Sequence, residues 1–193
     1  ISQTGVGCRA SNYIGVIRRA LEKAGYPNVP VISINLSGLE SNPGFTFTPK
    51  LIQHGLYALE FGDIFLRCLY ATRPYEAVPG SANELHEKWK EKIIAFITQD
   101  KILSHKKYKQ MCREIIRDFD NLPRLDIKKP RVGIVGEILV KFHAAANNYL
   151  ADLLESEGAE AVVPDLTDFL LYCFYNTGFK ADNLGFSQKS KRI

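Results

Sequence analysis

The sequence lacks any apolar run long enough to cross a membrane. A transmembrane helix takes roughly 18 to 20 consecutive apolar residues, and no stretch of the 193-residue chain approaches that length. A secretory signal peptide is also absent from the first residues. The sequence therefore predicts a cytoplasmic protein with no membrane partner.

The sequence also lacks a large excess of charge of one sign. The formal net charge is +4 and no block of like charge dominates, which disfavours nucleic acid as a partner. The densest basic stretch, "SHKKYKQMCREIIR", mixes basic and apolar residues at helical spacing. We interpret this stretch as the solvated face of a helix, with an anionic partner as the alternative.

Cysteines are few and widely spaced. No two of the four form a Cys-x-x-Cys pair, so the spacing of a zinc ribbon is absent and a disulfide framework is disfavoured. The sequence also shows no HExxH motif, no Ser-His-Asp order and no Gly-Lys-Ser/Thr ending to a glycine loop. The four cysteines are Cys8, Cys68, Cys112 and Cys173.

The first of two similar segments follows the glycine-bearing loop "TGVGCRASNY". Ile14, Ile17 and Leu21 recur at helical spacing, and Gly25 suits the C-terminal cap of that helix. Residues 31–34 are β-branched at three positions, which is typical of a buried strand. The first residues are typical of the end of a strand, so this segment predicts a strand, a loop, a helix and a strand in that order.

The second segment repeats this pattern. Strands are predicted at 132–135 and 161–163, with a helix at 144–156 between them, and Gly136 and Pro164 end the two strands. Strands joined through a helix normally run parallel with a right-handed crossover. We therefore expect an α/β fold made of flavodoxin- or Rossmann-like parallel sheet units.

A helical stretch separates the two segments. Thr48 and Pro49 form a helix start signal, and Ser81 with Glu84 has the spacing of a capping box. Two later helices carry apolar faces, which comprise Leu85, Trp89, Ile93 and Phe96, and then Tyr108, Met111, Cys112, Ile115, Ile116 and Phe119. The predicted domains are an α/β sheet domain of residues 1–45 and 121–175, a helical insertion at 46–120 and a tail at 176–193.

The predicted sheet brings four loops to one edge, because ligands of open parallel sheets bind outside the carboxyl ends of the strands. The loops are 4–9, 35–44, 136–143 and 164–168. The polar and charged residues expected there are Cys8, Arg9, Asn35, Ser37, Glu137, Lys141, His143, Asp165 and Asp168.

Cys8 is the first candidate at this edge. The glycine loop and the helix N-terminus behind it both favour thiolate over thiol, which suits a metal ligand or a nucleophile. The alternative is a small residue packed in a tight turn. Gly5, Gly7 and Arg9 are candidates for holding an anion, and "GVGCRA" matches a dinucleotide fingerprint. However, the next strand ends on Asn35 and Ser37 rather than on the acidic residue that a ribose needs.

Glu137 and His143 are the candidates for acid–base chemistry. A carboxylate directly after a strand-ending glycine can accept N–H groups or act as a base, and a neutral imidazole at a helix start can transfer a proton. Capping and surface roles are the alternatives. Cys173 lies in the apolar run "DFLLYCFYN" and either packs in the core or faces the site. Cys68 and Cys112 are expected in the core.

Two blocks of the sequence resemble the 2-hydroxyacyl-CoA dehydratase family. They are "QTGVGCRASNYIGVIRRALEKAG" and "KPRVGIVGEILVKFHAAANNYLADLLESEGAEAVVPDLTDFLLYCFYN", and "TRPYEAVPGSANELHEKW" adds a third. The chain is similar to the dehydratase-like part of the large bacterial activator (activase-related) proteins. It opens on Ile1 and closes on "SQKSKRI", so we expect it to be a fragment of a longer polypeptide.

The resemblance implies flavodoxin-like units and an iron–sulfur cluster, such as a [4Fe–4S] cluster, held by cysteine thiolates. It also implies low-potential electron transfer that serves a 2-hydroxyacyl-CoA dehydratase-type lyase or its ATP-dependent activator. The resemblance places Cys8 and Cys173 at ligand positions. A cluster needs three or four thiolates, so the others would come from the remainder of a longer chain or a partner subunit, and the isolated fragment is expected to bind no stable cluster. A CoA thioester would be a further partner. The rival readings are a non-catalytic docking domain and a CoA- or dinucleotide-binding module.

Overall fold

The structure, a computed structural model, describes residues 2–4, 12–35, 46 and 48–184. Several predicted site residues lie outside this part of the chain. They are Gly5, Gly7, Cys8, Arg9 and Ser37, together with the side chains of Asn35 and Cys173. The chain divides into two units, Ile1–Thr48 and Pro49–Ile193.

The first unit contains two parallel strands and one helix. Strand β1 (Ser2–Thr4) pairs with β2 (Ser33–Asn35), with Gln3 opposite Ile34. Helix α1 (Tyr13–Lys23) lies between them in the chain and buries Ile14. Gly25 ends the helix with a φ of +86°, a conformation that glycine adopts without strain, and this confirms the predicted cap.

The second unit is built around one long helix, α2 (Pro49–Thr72). It begins at the predicted Pro49, and a 3₁₀ turn (Arg73–Tyr75) follows it. Helices α3 (Ser81–Ile97) and α4 (His105–Asp120) then pack against it, with Trp89, Ile93, Phe96, Met111, Ile115 and Phe119 buried. The apolar faces predicted for α3 and α4 are therefore confirmed, although Ile116 is exposed.

The capping box predicted at the start of α3 is wrong. Ser81 is the first residue of the helix rather than its cap, and Gly80 precedes it with a φ of +89°. The carboxylate of Glu76 accepts hydrogen bonds from the N–H groups of Gly80 (2.6 Å) and Ala82 (2.9 Å). A side chain from the preceding turn thus satisfies the first N–H groups of the helix.

Strands β3 (Arg131–Gly133) and β4 (Glu160–Val162) form a second parallel pair, with Val132 opposite Ala161. The single helix predicted at 144–156 is wrong. The chain instead forms α5 (Ile138–Phe142), a 3₁₀ turn (Ala144–Asn147) and α6 (Leu150–Ser156).

The break before α6 has a local cause. Asn148 and Tyr149 have φ values of 57° and 55°, the left-handed conformation that cannot continue a right-handed helix. The side-chain amide of Asn147 donates to the carbonyl of Val140 (3.0 Å), and its oxygen accepts from the N–H of Leu150 (3.1 Å). Asn147 thereby joins the end of α5 to the start of α6.

Helix α2 packs on two sides. One side buries Phe61 and Phe65 against α3 and α4. The other side brings Leu66 and Tyr70 against the buried Ala161 of β4 and against Ile134 and Val163, which directly follow β3 and β4. A helix with partners on both sides needs apolar residues on more than one face, which explains why apolar residues predominate between Leu51 and Leu69.

The last helix, α7 (Leu166–Asn183), ends inside the stretch predicted as a tail. The described fold is thus mostly helical with two short parallel strand pairs, which is compatible with an α/β class. The joining of 1–45 and 121–175 into one sheet domain stays a prediction. Among the described residues, no helix is both long and apolar enough to cross a membrane.

Candidate functional site

The parallel pairing of β3 with β4 places the ends of both strands at one edge, as the sequence predicts for the loops 136–143 and 164–168. The loop after β3 leads through Gly136 and Glu137 into α5. The loop after β4 leads through Asp165 into α7. We call this region the carboxyl edge of β3 and β4.

Asp165 and Asp168 share one cation at this edge. The guanidinium of Arg67, on α2, donates to Asp165 (Nε to Oδ1, 2.6 Å) and to Asp168 (3.0 Å). The hydrogen bond to Asp165 holds the pKa of Arg67 above its ordinary value. The positive charge of Arg67 is therefore committed to carboxylates of this chain rather than to an anionic ligand.

Asp63 caps the N-terminus of α7. Its two carboxylate oxygens accept from the N–H groups of Leu166 (3.0 Å) and Thr167 (2.8 Å), and the residue is only 9% exposed. Asp165 is the N-cap residue of α7, yet its side chain makes no capping hydrogen bond. A carboxylate from α2 thus takes the role that a local side chain normally has.

Glu137 and His143 both cap short helices. Glu137 Oε2 accepts from the N–H of Val140 (3.0 Å), and His143 Nδ1 accepts from the N–H of Ala146 (3.2 Å). The acceptor role of Nδ1 places the proton of the neutral imidazole on Nε2. Both residues are exposed. Their proposed acid–base role stays a prediction.

The cavity beside these caps is small. It measures about 40 Å³ and is lined by Tyr70, Ile134, Lys141, Phe142 and Asn147 among others. Ligand sites usually enclose several hundred Å³, and this volume holds one or two water molecules. Two larger, open clefts, of about 370 Å³ and about 360 Å³, also border this edge beside Arg67 and Asp165.

The segment "TRPYE", in the third resembling block, joins α2 to several other elements. Arg73 donates to Glu155 (2.5 Å) and Asp152 (2.7 Å) of α6, and the Tyr75 hydroxyl donates to Glu160 of β4 (2.8 Å). Burial raises the pKa of Glu155, and the nearby Arg73 opposes that rise. The polar residues of this segment therefore hold the sheet and α6 against α2.

Removing Arg73 is expected to make stability depend on pH. In Arg73→Met, Glu155 would keep its buried position without its cation, which costs about 2–3 kcal/mol of unfolding free energy near neutral pH. The folded pKa of Glu155 lies above its unfolded value, so the folded protein takes up the proton first on acidification. The loss of unfolding free energy in Arg73→Met, relative to the unsubstituted protein, should therefore become smaller as the pH falls. Urea denaturation of both proteins at about pH 7 and about pH 5 measures this loss.

The matched control for this prediction is Lys50→Met. Lys50 pairs with Asp100, which is exposed, so its removal should change stability little at either pH. A deficit in Arg73→Met that stays constant or grows on acidification would contradict the assignment of the pH dependence to Glu155.

The described cysteines do not suit a metal cluster. Burial raises the pKa of Cys68 to about 11 and also raises that of Cys112, so both are thiols at neutral pH. Both pack against the core of α2, α3 and α4, as predicted. Within the described residues, no three His, Cys, Asp or Glu side chains are placed to hold a metal ion. Cys68 and Cys112 are therefore poorly suited as cluster ligands, whereas the side chains of the candidate ligands Cys8 and Cys173 lie outside the described residues.

Asp63 and Arg67 were missed as site residues by the sequence analysis. They are four positions apart in an apolar helix, and such a pair normally forms an ion pair along the helix itself. Here both side chains reach α7 instead. The available signal was the position of these two charges among the apolar residues Phe61, Ile64, Phe65 and Leu66.

Comparisons with protein-family models, with curated proteins and with solved structures find no match to this chain. Membership of the 2-hydroxyacyl-CoA dehydratase family therefore stays a hypothesis drawn from the quoted sequence blocks. Any function for the chain has to be inferred from its own residues.

Proposed function

We propose that the chain is the dehydratase-like part of a protein related to 2-hydroxyacyl-CoA dehydratases and their activators. In this proposal Cys8 supplies one thiolate to an iron–sulfur site, and flavodoxin-like units carry that site at their strand ends. Cys173 is the second candidate ligand. The partners that follow are the remainder of a longer chain or a partner subunit, and a CoA thioester.

One structural observation supports this proposal most directly. In the second resembling block, β3 and β4 pair in parallel through a helical crossover, and their following loops reach the same edge. The unit that contains the first block has the same order of strand, helix and parallel strand, and Cys8 stands between β1 and α1 in the sequence. Ligand chemistry in such units lies where these loops converge.

Reconstitution with iron and sulfide tests the proposal. The natural full-length protein, purified without oxygen, is expected to take up iron and gain broad visible absorbance. Cys8→Ala should lose most of both, because a missing thiolate leaves a cluster under-coordinated. Cys112→Ala is the matched control, since that thiol lies in the helical core and should be dispensable for iron.

Two outcomes of the reconstitution would contradict the proposal. One is a wild-type protein that takes up no iron. The other is a Cys8→Ala variant with unchanged iron content and absorbance. Circular dichroism of each variant separates a lost ligand from a lost fold.

A second candidate function, a non-catalytic structural or docking domain, has its own supporting observation. Within the described part of the carboxyl edge, the polar side chains make hydrogen bonds that join helices. Arg67 of α2 donates to Asp165 and Asp168, and Asp63 of α2 accepts from the start of α7. Glu137 and His143 cap short helices. Such side chains stabilise the fold without needing a substrate. Unchanged iron in Cys8→Ala would favour this function.

A further inference from the structure

Helices α3 and α4 border an open groove. The side chains that line it recur every three or four positions along each helix, and residues with that spacing share one helix face. Each helix therefore turns one stripe of side chains towards the groove. The stripes comprise Trp89, Lys92 and Phe96 on α3, and Lys107, Met111 and Glu114 on α4, and Gln99 lines the groove just beyond the end of α3.

The floor of the groove is apolar. Trp89, Phe96 and Met111 are all buried members of the helical core, and each also borders the groove. Trp89 is the only tryptophan of the chain, and its indole N–H donates to Asp118 (3.1 Å). The groove measures about 600 Å³, within the range of small-molecule sites.

The rim of the groove is basic. Lys92, Lys101 and Lys107 all line it, and the ammonium of Lys92 lies 4.2 Å from the ring centre of Trp89. None of these three ammonium groups forms an ion pair within residues 12–35 and 48–184. The acid in the described lining, Glu114, already accepts a hydrogen bond from Gln110 (2.7 Å).

We propose that this groove binds a small amphiphilic anion, with its apolar body against Trp89 and its anionic head among the three lysines. Three cations that line one groove, and that form no ion pair within the described residues, give it a positive potential, which attracts an anion. An apolar floor adds the burial of the ligand's body. A carboxylate or a phosphate satisfies this chemistry equally well. The inference does not depend on Cys8 or on a metal cluster.

The probe for this site is anilinonaphthalene sulfonate, an aromatic anion whose emission rises in apolar surroundings. Excitation of Trp89, the sole tryptophan, should produce energy transfer to dye bound in the groove. The neutral dye phenylnaphthylamine has the same aromatic body without the charge. We expect the anion to bind about tenfold more tightly than the neutral dye, and added salt to reduce that ratio.

Charge reversal at the rim locates the site. Lys101→Glu with Lys107→Glu should weaken the anion about tenfold and the neutral dye less than about twofold. The matched control is Lys88→Glu with Lys106→Glu, which makes the same change in net charge at exposed positions outside the groove. Displacement of the dye by decanoate or by decyl phosphate then distinguishes a carboxylate from a phosphate ligand.

Three results would overturn the inference. They are no energy transfer from Trp89, equal weakening in the control pair, and equal affinity for the charged and neutral dyes. Near-identical circular dichroism of both double variants shows that the fold is kept, as expected for exposed lysines.

Discussion

Phe61→Ala is expected to lower the free energy of unfolding by about 3–5 kcal/mol, the range for removing a large aromatic from a packed core. Phe61 is 1% exposed at the centre of the contact between α2 and the α3–α4 pair. Its ring packs edge-on against the rings of Phe96 and Tyr108, with ring centres 6.4 Å and 5.2 Å away. Truncation would remove those contacts and leave a cavity that three helices cannot close. Chemical denaturation measures the loss.

Leu56→Ala is the matched control for Phe61, because Leu56 lies on the same helix and is 51% exposed. We expect it to cost less than about 1 kcal/mol. Phe61→Leu should fall between the two, since most of the volume remains. Equal costs for Phe61→Ala and Leu56→Ala would show that α2 does not pack on α3 and α4 as described.

Asp63→Ala is the second substitution with a large expected effect, a loss of about 2–3 kcal/mol. The variant leaves the N–H groups of Leu166 and Thr167 without their acceptor and removes a negative charge from the N-terminus of α7. Asp63→Asn keeps one carbonyl oxygen and should lose about half as much. Denaturation gives the total, and hydrogen exchange of the two amides shows where the loss arises.

Asp168→Ala provides the control for Asp63. Asp168 also belongs to the Arg67 cluster, but its side chain is 62% exposed and its ion pair is solvated. Its removal should cost only a small fraction of the loss in Asp63→Ala. A similar loss in both variants, or unchanged exchange at Leu166 and Thr167, would contradict the capping role of Asp63.

The sequence predicted elements best where the signal was local. The start of α2 at Pro49 and the glycine cap after α1 depend on the conformational preferences of one or two residues. The buried faces of α3 and α4 follow from helical spacing of apolar residues. Neither needs knowledge of what lies across the fold.

The predictions failed where a distant or preceding residue decided the outcome. The predicted helix at 144–156 breaks because Asn147 bonds to both sides of a left-handed pair of residues. Glu76, not Ser81, caps α3. At the carboxyl edge, Asp165 and Asp168 were predicted, whereas Asp63 and Arg67 were not, because no pattern along α2 shows that its other face meets α7.

By itself the sequence predicted the parallel pairing of β3 with β4 and the apolar faces that form the helical core, but not the division of the 138–156 region into three short elements. These features arise from periodicity and from backbone preferences within a few residues. Only the tertiary structure decided that α2 packs on two sides, that its Asp63 and Arg67 complete the start of α7, and that lysines of α3, α4 and their loop surround one apolar groove. Such groupings depend on contacts between residues far apart in the chain, and a single sequence records no distances between them.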